Sequence, residues 1–326
     1  MLQIQQYNGN ETEWDDFILY RSMNGTFLQT RKFLNYHAEG KFKDASICVR
    51  KGEELVGAIS ACEIEDNGKV FFAHKGSTYG GISISPSIYK TSLMEELFEK
   101  LMTYLKEQGY QKVFIKMVPA VFQRENCDLL DYFLFKYGFK CYDELNYYMH
   151  LNRYKEDVLS QFTSQKRRNF KMALKADLQF RKLDTKEEIA AYYEVLLKNL
   201  RKLNLPVVHS LDDLYDLKFN RFSELIDFYG VYKDEKIIAG TMVFIFNGNI
   251  MHTQYLSSDE DYLNLYPMDS LIGHLIENAI DQGFDILTLG ICTEDHGKYL
   301  NQGLSRFKEG FGTEYCINRS YELKMF

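Results

Sequence analysis

Apolar and polar positions alternate through residues 46–76, "SICVRKGEELVGAISACEIEDNGKVFFAHKG", in three short runs separated by turns. A period of two puts successive side chains on opposite faces, so each run predicts a half-buried strand. Asp66-Asn67-Gly68 reads as a hairpin turn between the second and third runs. Residues 229–258, "YGVYKDEKIIAGTMVFIFNGNIMHTQYLSS", repeat the pattern, with Asn247-Gly248-Asn249 at the second turn. Lys51-Gly52-Glu53 then corresponds to Lys233-Asp234-Glu235, and Gly57 to Gly240. After each meander the apolar period becomes that of a helix, over "SLMEELFEKLMTYLKEQGYQKVFIKM" (92–117) and "DSLIGHLIENAIDQGFDILTLG" (269–290). Both helices end in Gln-Gly-aromatic, with Gly109 and Gly283 placed for a left-handed cap, and a short apolar strand follows. The fold class is therefore α/β with mixed sheets, built as two tandem units. The expected domains are 1–152 and 153–326, the second with a helical lead-in over about 155–228 whose clearest helix is "KEEIAAYYEVLLKNLRKLNLP".

Composition narrows the class. With 326 residues, 45% apolar and 26% charged, the chain can fill more than one core. No apolar run is long enough for a membrane span, and "MLQIQQYNGNETEWDDF" lacks the basic and apolar regions of an export signal, so a cytoplasmic location is expected. The six cysteines are scattered without a CxxC pair and are expected as reduced thiols. The seven histidines never fall at ligand spacing, so no metal is expected. A net charge of −7 argues against a broad nucleic-acid surface, and a nucleic-acid partner is not expected beyond tRNA as a runner-up donor.

A meander, a glycine-bearing strand, a helix and a strand make up the core of the GNAT acyltransferases. Two such units, with "GTFLQTRKF" (25–33), "STYGGI" (77–82) and "GLSRFKEGFG" (303–312), resemble the FemABX family and its BioF2-like acetyltransferase relatives over nearly the whole chain. The resemblance implies transfer of an acyl group, with acyl-CoA (acetyl-CoA) as co-substrate, to an amino group of a small metabolite, sugar or cell-envelope precursor. A Fem-type peptidyltransferase using aminoacyl-tRNA in peptidoglycan bridge synthesis is the alternative, and a GNAT-like binding protein without catalysis is another. Two departures bear on the choice. Neither half carries the Arg/Gln-x-x-Gly-x-Gly/Ala pyrophosphate loop, and no long charged coiled-coil arm is inserted.

Candidate residues follow from the same comparison. Lys308, after Phe307, matches the Phe-Lys pair by the donor's reactive end; a fixed cation there would stabilise the oxyanion that develops in acyl transfer. Tyr255, on the last strand of the second meander, is a candidate proton donor. Pro267, Met268, Asp269 and Ser270 start the second long helix, where such folds place the donor's pyrophosphate; the same residues also make an ordinary helix start, with Asp269 as a cap. Tyr79, Gly80 and Gly81 are expected to border the acceptor cleft. Arg31, Lys32 and Arg168 are candidate phosphate contacts. Arg167, Lys171 and Lys175 repeat along one helix face beside Arg168.

Overall fold

The computed structural model describes residues 1–325. From the N-terminus run β1 (Leu2–Gln6), α1 (Glu11–Asp16), α2 (Arg31–Leu34), β2 (Lys43–Asp44), β3 (Ile47–Lys51), β4 (Glu54–Ile59), β5 (Ala61–Glu65), β6 (Lys69–Ala73) and β7 (Ile82–Ile84). There follow α3 (Thr91–Glu107), β8 (Lys112–Lys116), α4 (Asp128–Lys136), β9 (Lys140–His150), α5 (Ser164–Lys175), β10 (Gln179–Lys182), α6 (Lys186–Lys202) and α7 (Leu211–Tyr215). The last part comprises β11 (Ile226–Lys233), β12 (Lys236–Phe246), β13 (Ile250–Ser258), α8 (Pro267–Asp281), β14 (Ile286–Ile291), β15 (Thr293–Glu294), β16 (Tyr299–Leu300), α9 (Gln302–Glu309) and β17 (Glu314–Lys324). Two compact units result: Met1–Glu144 with Glu294–Tyr299 and the chain from Cys316 onward, and Leu145–Thr293 with Leu300–Tyr315. They are thus not two consecutive stretches divided at residue 152.

In the first unit β1, β3, β4 and β7 form a four-stranded sheet in that order. The middle strand of the first meander breaks at Ser60: β4 stays beside β3, while β5 continues to an antiparallel pairing with β6 (Ala61↔Ala73). β6 and β8 are parallel, from Val70↔Lys112 to Phe72↔Phe114, and α3 is the crossover between them. The buried stripe of α3, Met94, Leu97, Phe98, Leu101 and Leu105, meets Ile47, Val113 and Ile115 in one core. Full burial of each such side chain contributes about 1.5–3 kcal/mol. β17 pairs antiparallel with the other edge of β8 (Ser320↔Lys116).

In the second unit the strand order is β10, β11, β12, β13, β14 and the Leu145–His150 part of β9. β11 to β13 are the antiparallel meander, and β13 and β14 are parallel across the crossover helix α8. Leu271, Ile272, Leu275 and Ile276 of α8 pack on Ile238, Val243, Met251 and Leu287. Helix α6 covers β12 and β13. It lies so close that a Cβ on Gly240 would stand 2.6 Å from the Tyr192 ring, which is why the strand carries glycine there. Each unit therefore has the same construction, an antiparallel meander followed by a helix that returns the chain to a parallel strand, as the sequence repeat predicts.

Candidate active site

The parallel ladder between β13 and β14 is short. It runs over Ile250↔Ile286, Met251↔Leu287 and His252↔Thr288 and then stops. Both strands are irregular at that level. On β13 the register against β12 shifts between Gly240 and Met242, and Tyr255 adopts φ +58°, a left-handed conformation that a tyrosine takes only when its surroundings impose it. The imposing contact is Tyr192 on α6, whose hydroxyl donates to the Tyr255 carbonyl at 2.6 Å. On β14 the register against β9 shifts between Thr288 and Gly290, and Gly290 has φ +73°. Two adjacent strands that stop pairing leave main-chain groups open to a ligand between them.

Lys308 stands at this opening. Asn301 caps α9 by accepting the Leu304 N–H at 3.0 Å, and the helix phase then turns Ser305 and Lys308 inward together. Lys308 is only 3% exposed. Its Nζ donates to the carbonyls of Gly290 (2.9 Å) and Ile291 (2.6 Å). An ammonium has three N–H donors, so one remains for a ligand atom. Burial pushes its pKa down to about 8, which leaves it mostly protonated at neutral pH. His252, one strand away, is pushed down to about 4 by burial and then by the Lys308 charge, so it is neutral. Its Nδ1 is hydrogen-bonded to the Thr288 hydroxyl. Below Lys308, the Tyr147 and Ser305 hydroxyls are 2.8 Å apart, and Ser305 donates to Glu309 at 3.1 Å.

Tyr255, the other expected catalytic residue, has its hydroxyl 2.5 Å from Nδ1 of His209, and burial pushes its pKa up to about 12. The sequence reading missed His209. It lies beyond the "NLP" that ends α6, and nothing local marks it; its carbonyl is held by Tyr193 at 3.0 Å.

The start of α8 differs from a bare anion seat. Tyr266 caps it in the left-handed region and Pro267 takes the first helical position. Asp269, at the third, is buried and pairs with Lys166 of α5 at 2.9 Å, with the Asn169 amide at 3.3 Å. The helix dipole is thus complemented from within the protein, and a phosphate approaching it would meet a carboxylate first. Asp269 is in this structure a pairing partner within the fold. Ser270 is fully buried with its hydroxyl 3.3 Å from His274, and Met268 packs against the unit's core. Phe307 is the ceiling over Lys166: the Lys166 Nζ is 4.1 Å from the Phe307 ring centre and 4.5 Å from that of Phe311. Lys166 was also missed, although it shares the helical phase of Asn169, Phe170 and Ala173, the buried residues of α5. Arg168 is exposed and donates to Gln165, and Arg167, Lys171 and Lys175 are exposed too, a solvated face.

In the first unit the "LQT" and "YGG" pieces meet each other. Gln29 is fully buried and its amide donates to the Gly80 carbonyl (3.0 Å) and to Ser83 (2.9 Å). Gly80 and Gly81 lie against the chain itself: a Cβ on Gly80 would be 2.6 Å from the His74 nitrogen, and one on Gly81, at φ +45°, 3.0 Å from the Lys116 carbonyl. The close approach that needs glycine is to protein backbone, where a ligand was expected. Tyr79 is buried against Phe122, and burial raises its pKa. Arg31 is buried with Asp44 as its ion-pair partner, and Lys32 is exposed.

Among the described residues no group of three or more His, Cys, Asp or Glu side chains could hold a metal, and no helix is long and apolar enough to cross a membrane.

Residues 160–308, which include the parting parallel strands β13 and β14 and the crossover helix α8, match the family model described as acetyltransferase (GNAT) domain. The match marks an acetyltransferase (GNAT) domain within this segment, and over its whole length the chain is similar in fold to solved structures. FemX is similar with a TM-score of 0.71 at 12% identity, over 99% of this chain and 97% of that one. A conserved protein of unknown function from Bacteroides thetaiotaomicron is similar with a TM-score of 0.62 at 11% identity, over 99% of both chains. A tandem GNAT protein from the clavulanic acid biosynthesis pathway is similar with a TM-score of 0.58 at 10% identity, over 99% of this chain and 98% of that one. No curated protein matches the sequence.

Proposed function

We propose that this acyltransferase acts on nitrogen, in the cytoplasm, moving an acyl group from acyl-CoA to an amine of a small metabolite, sugar or cell-envelope precursor. The observation that carries the reading is Lys308: a buried ammonium with one N–H unspent, fixed on the carbonyls of Gly290 and Ile291 where β13 and β14 part. An acyl carbonyl placed in that opening would receive the third N–H as its oxygen becomes negative. The amine nitrogen attacks the carbonyl carbon, the bond to the leaving sulfur or oxygen breaks, and one proton passes from the nitrogen to the leaving atom. Tyr255, hydrogen-bonded to His209, is the group suited to handle that proton.

An aminoacyl ester of tRNA is the second reading for the donor, and Asp269 favours it, since its carboxylate stands where a CoA pyrophosphate would approach α8. Incubation of the purified protein with acetyl-CoA and an amine panel, followed by release of free thiol, tests the first reading. The same panel with charged tRNA, followed by deacylation, tests the second. Saturable turnover with tRNA and none with any acyl-CoA would transfer the conclusion to the ester donor; inactivity with both would sink both readings. With the active donor, Tyr255→Phe is expected to lower kcat by about a hundredfold with KM for the donor little changed. An unchanged kcat removes Tyr255 from the proton path.

A further inference from the structure

In the first unit a cavity of about 440 Å³ is lined by Tyr7, Arg31, Phe42 and His74, with carboxylates of Glu11, Glu39 and Asp44 around it. Arg31 is 4% exposed. Its Nη1 donates to Asp44 at 3.0 Å, whereas Nε and Nη2 have no acceptor among the described residues. Those two N–H groups form one edge of the guanidinium, the edge that holds a carboxylate through two parallel hydrogen bonds. The group cannot easily turn away. Its Cζ lies 3.7 Å from the Tyr7 ring centre and 4.5 Å from that of Trp14, and Asp15 accepts from the first two backbone N–H groups of α2, which carries Arg31.

One more buried donor is unspent at the same place, and a buried histidine lines the cavity with it. The Tyr7 hydroxyl is buried and has no partner among the described residues. His74 is 5% exposed, and its Nδ1 accepts from the Gly76 N–H at 3.2 Å. Burial pushes its pKa down to about 4, so the neutral ring carries its proton on Nε2. Buried donors without acceptors are costly and uncommon in native proteins. Two residues of this kind, Arg31 and Tyr7, around one cavity mark a place made for acceptor atoms from outside the chain.

The surrounding charge says which acceptor atoms. Asp44 is already engaged by Arg31 and by the Ser46 N–H and hydroxyl, at 3.0 and 2.6 Å. Glu11 accepts from the Asn35 amide at 2.7 Å, and Glu39 is exposed. A phosphate dianion would bind the donors but face two further carboxylates. A ligand with a carboxylate at one end and an ammonium a few ångströms away satisfies both. We propose that this cavity binds a zwitterionic α-amino acid, its carboxylate on the Nε and Nη2 edge of Arg31 and on the Tyr7 hydroxyl, its ammonium toward Glu11 and Glu39. The inference does not rest on the acyl-transfer reading, which concerns the second unit.

Calorimetric titration and thermal unfolding of the whole protein with each of the twenty common amino acids, and with acetate, methylamine and inorganic phosphate, provide the test. At least one amino acid is expected to bind one to one and raise Tm, at least tenfold more tightly than acetate or methylamine. Tyr7→Phe, whose hydroxyl has no partner to lose among the described residues, is expected to fold as the wild type does and bind about tenfold more weakly. Arg31→Lys, which keeps the charge but loses the two-pronged edge, is expected to weaken binding about a hundredfold. Silence with all twenty amino acids overturns the proposal. So does phosphate binding tighter than every one of them, and so does unchanged amino-acid affinity in Tyr7→Phe.

Discussion

Lys308→Met is expected to lower kcat by a hundred- to a thousandfold, the loss that follows removal of one oxyanion donor. The Kd for the donor should change little, because the third N–H of Lys308 is used as charge develops on the carbonyl oxygen. In the wild type, activity should fall as pH rises through about 8, where the buried ammonium loses its proton. The folded pKa lies below the ordinary 10.5, so between about 8 and 10.5 the unfolded chain holds the proton and the folded one does not. Stability contributed by this residue therefore rises with pH across that window, and keeping the lysine charged at lower pH costs about 3 kcal/mol. Denaturation of the two proteins should show Met favoured near pH 6 and that advantage shrinking toward pH 10. Wild-type turnover in Lys308→Met with the active donor would leave the residue as packing alone.

Asp269→Ala should destabilise the second unit by about 3–5 kcal/mol, since it strands the Lys166 ammonium in a buried site between two phenyl rings. Burial already lowers the Lys166 pKa, with Asp269 opposing that shift, so removing the carboxylate leaves only the unfavourable part. Denaturant midpoints measure the loss. Combining Asp269→Leu with Lys166→Met should recover most of it, because an ion pair replaced by apolar groups of similar size is often neutral. If Asp269 instead served only the donor, Asp269→Ala would leave the midpoint where it was and change only donor affinity.

Both meanders and both crossover helices were legible because their signals are local. Asn67 and Asn247 sit in the left-handed region at the two hairpin turns, and Gly109 and Gly283 do so at the two helix ends, as the residue types demand. Lys308 stands out in the sequence because glycines and aromatics crowd one short stretch around it, and in the fold it is buried on the carbonyls of Gly290 and Ile291. The site was not legible where a residue's role depends on a distant partner. Asp269 reads as a cap until Lys166 is placed beside it, and the charges of α5 that stand out in sequence, Arg167, Lys171 and Lys175, are those facing water. Gly80 and Gly81 announce a close approach without saying to what, and the answer is the end of β6 and β8.

The pairing of β17 with β8 has a consequence for how the chain is made. β8 ends at Lys116, yet the strand that covers one of its edges includes Ser320 and Leu323. At ordinary rates of synthesis of ~5–20 residues per second, roughly ten to thirty seconds separate the emergence of Glu144 from that of the last strand. During that interval the N-terminal segment holds a sheet with an open edge, the kind of surface that recruits stray strands. Emergence of residues 316–324, more than the appearance of the N-terminal residues, then sets when the first unit can close, and a fragment ending near Glu144 is missing a strand it cannot supply for itself.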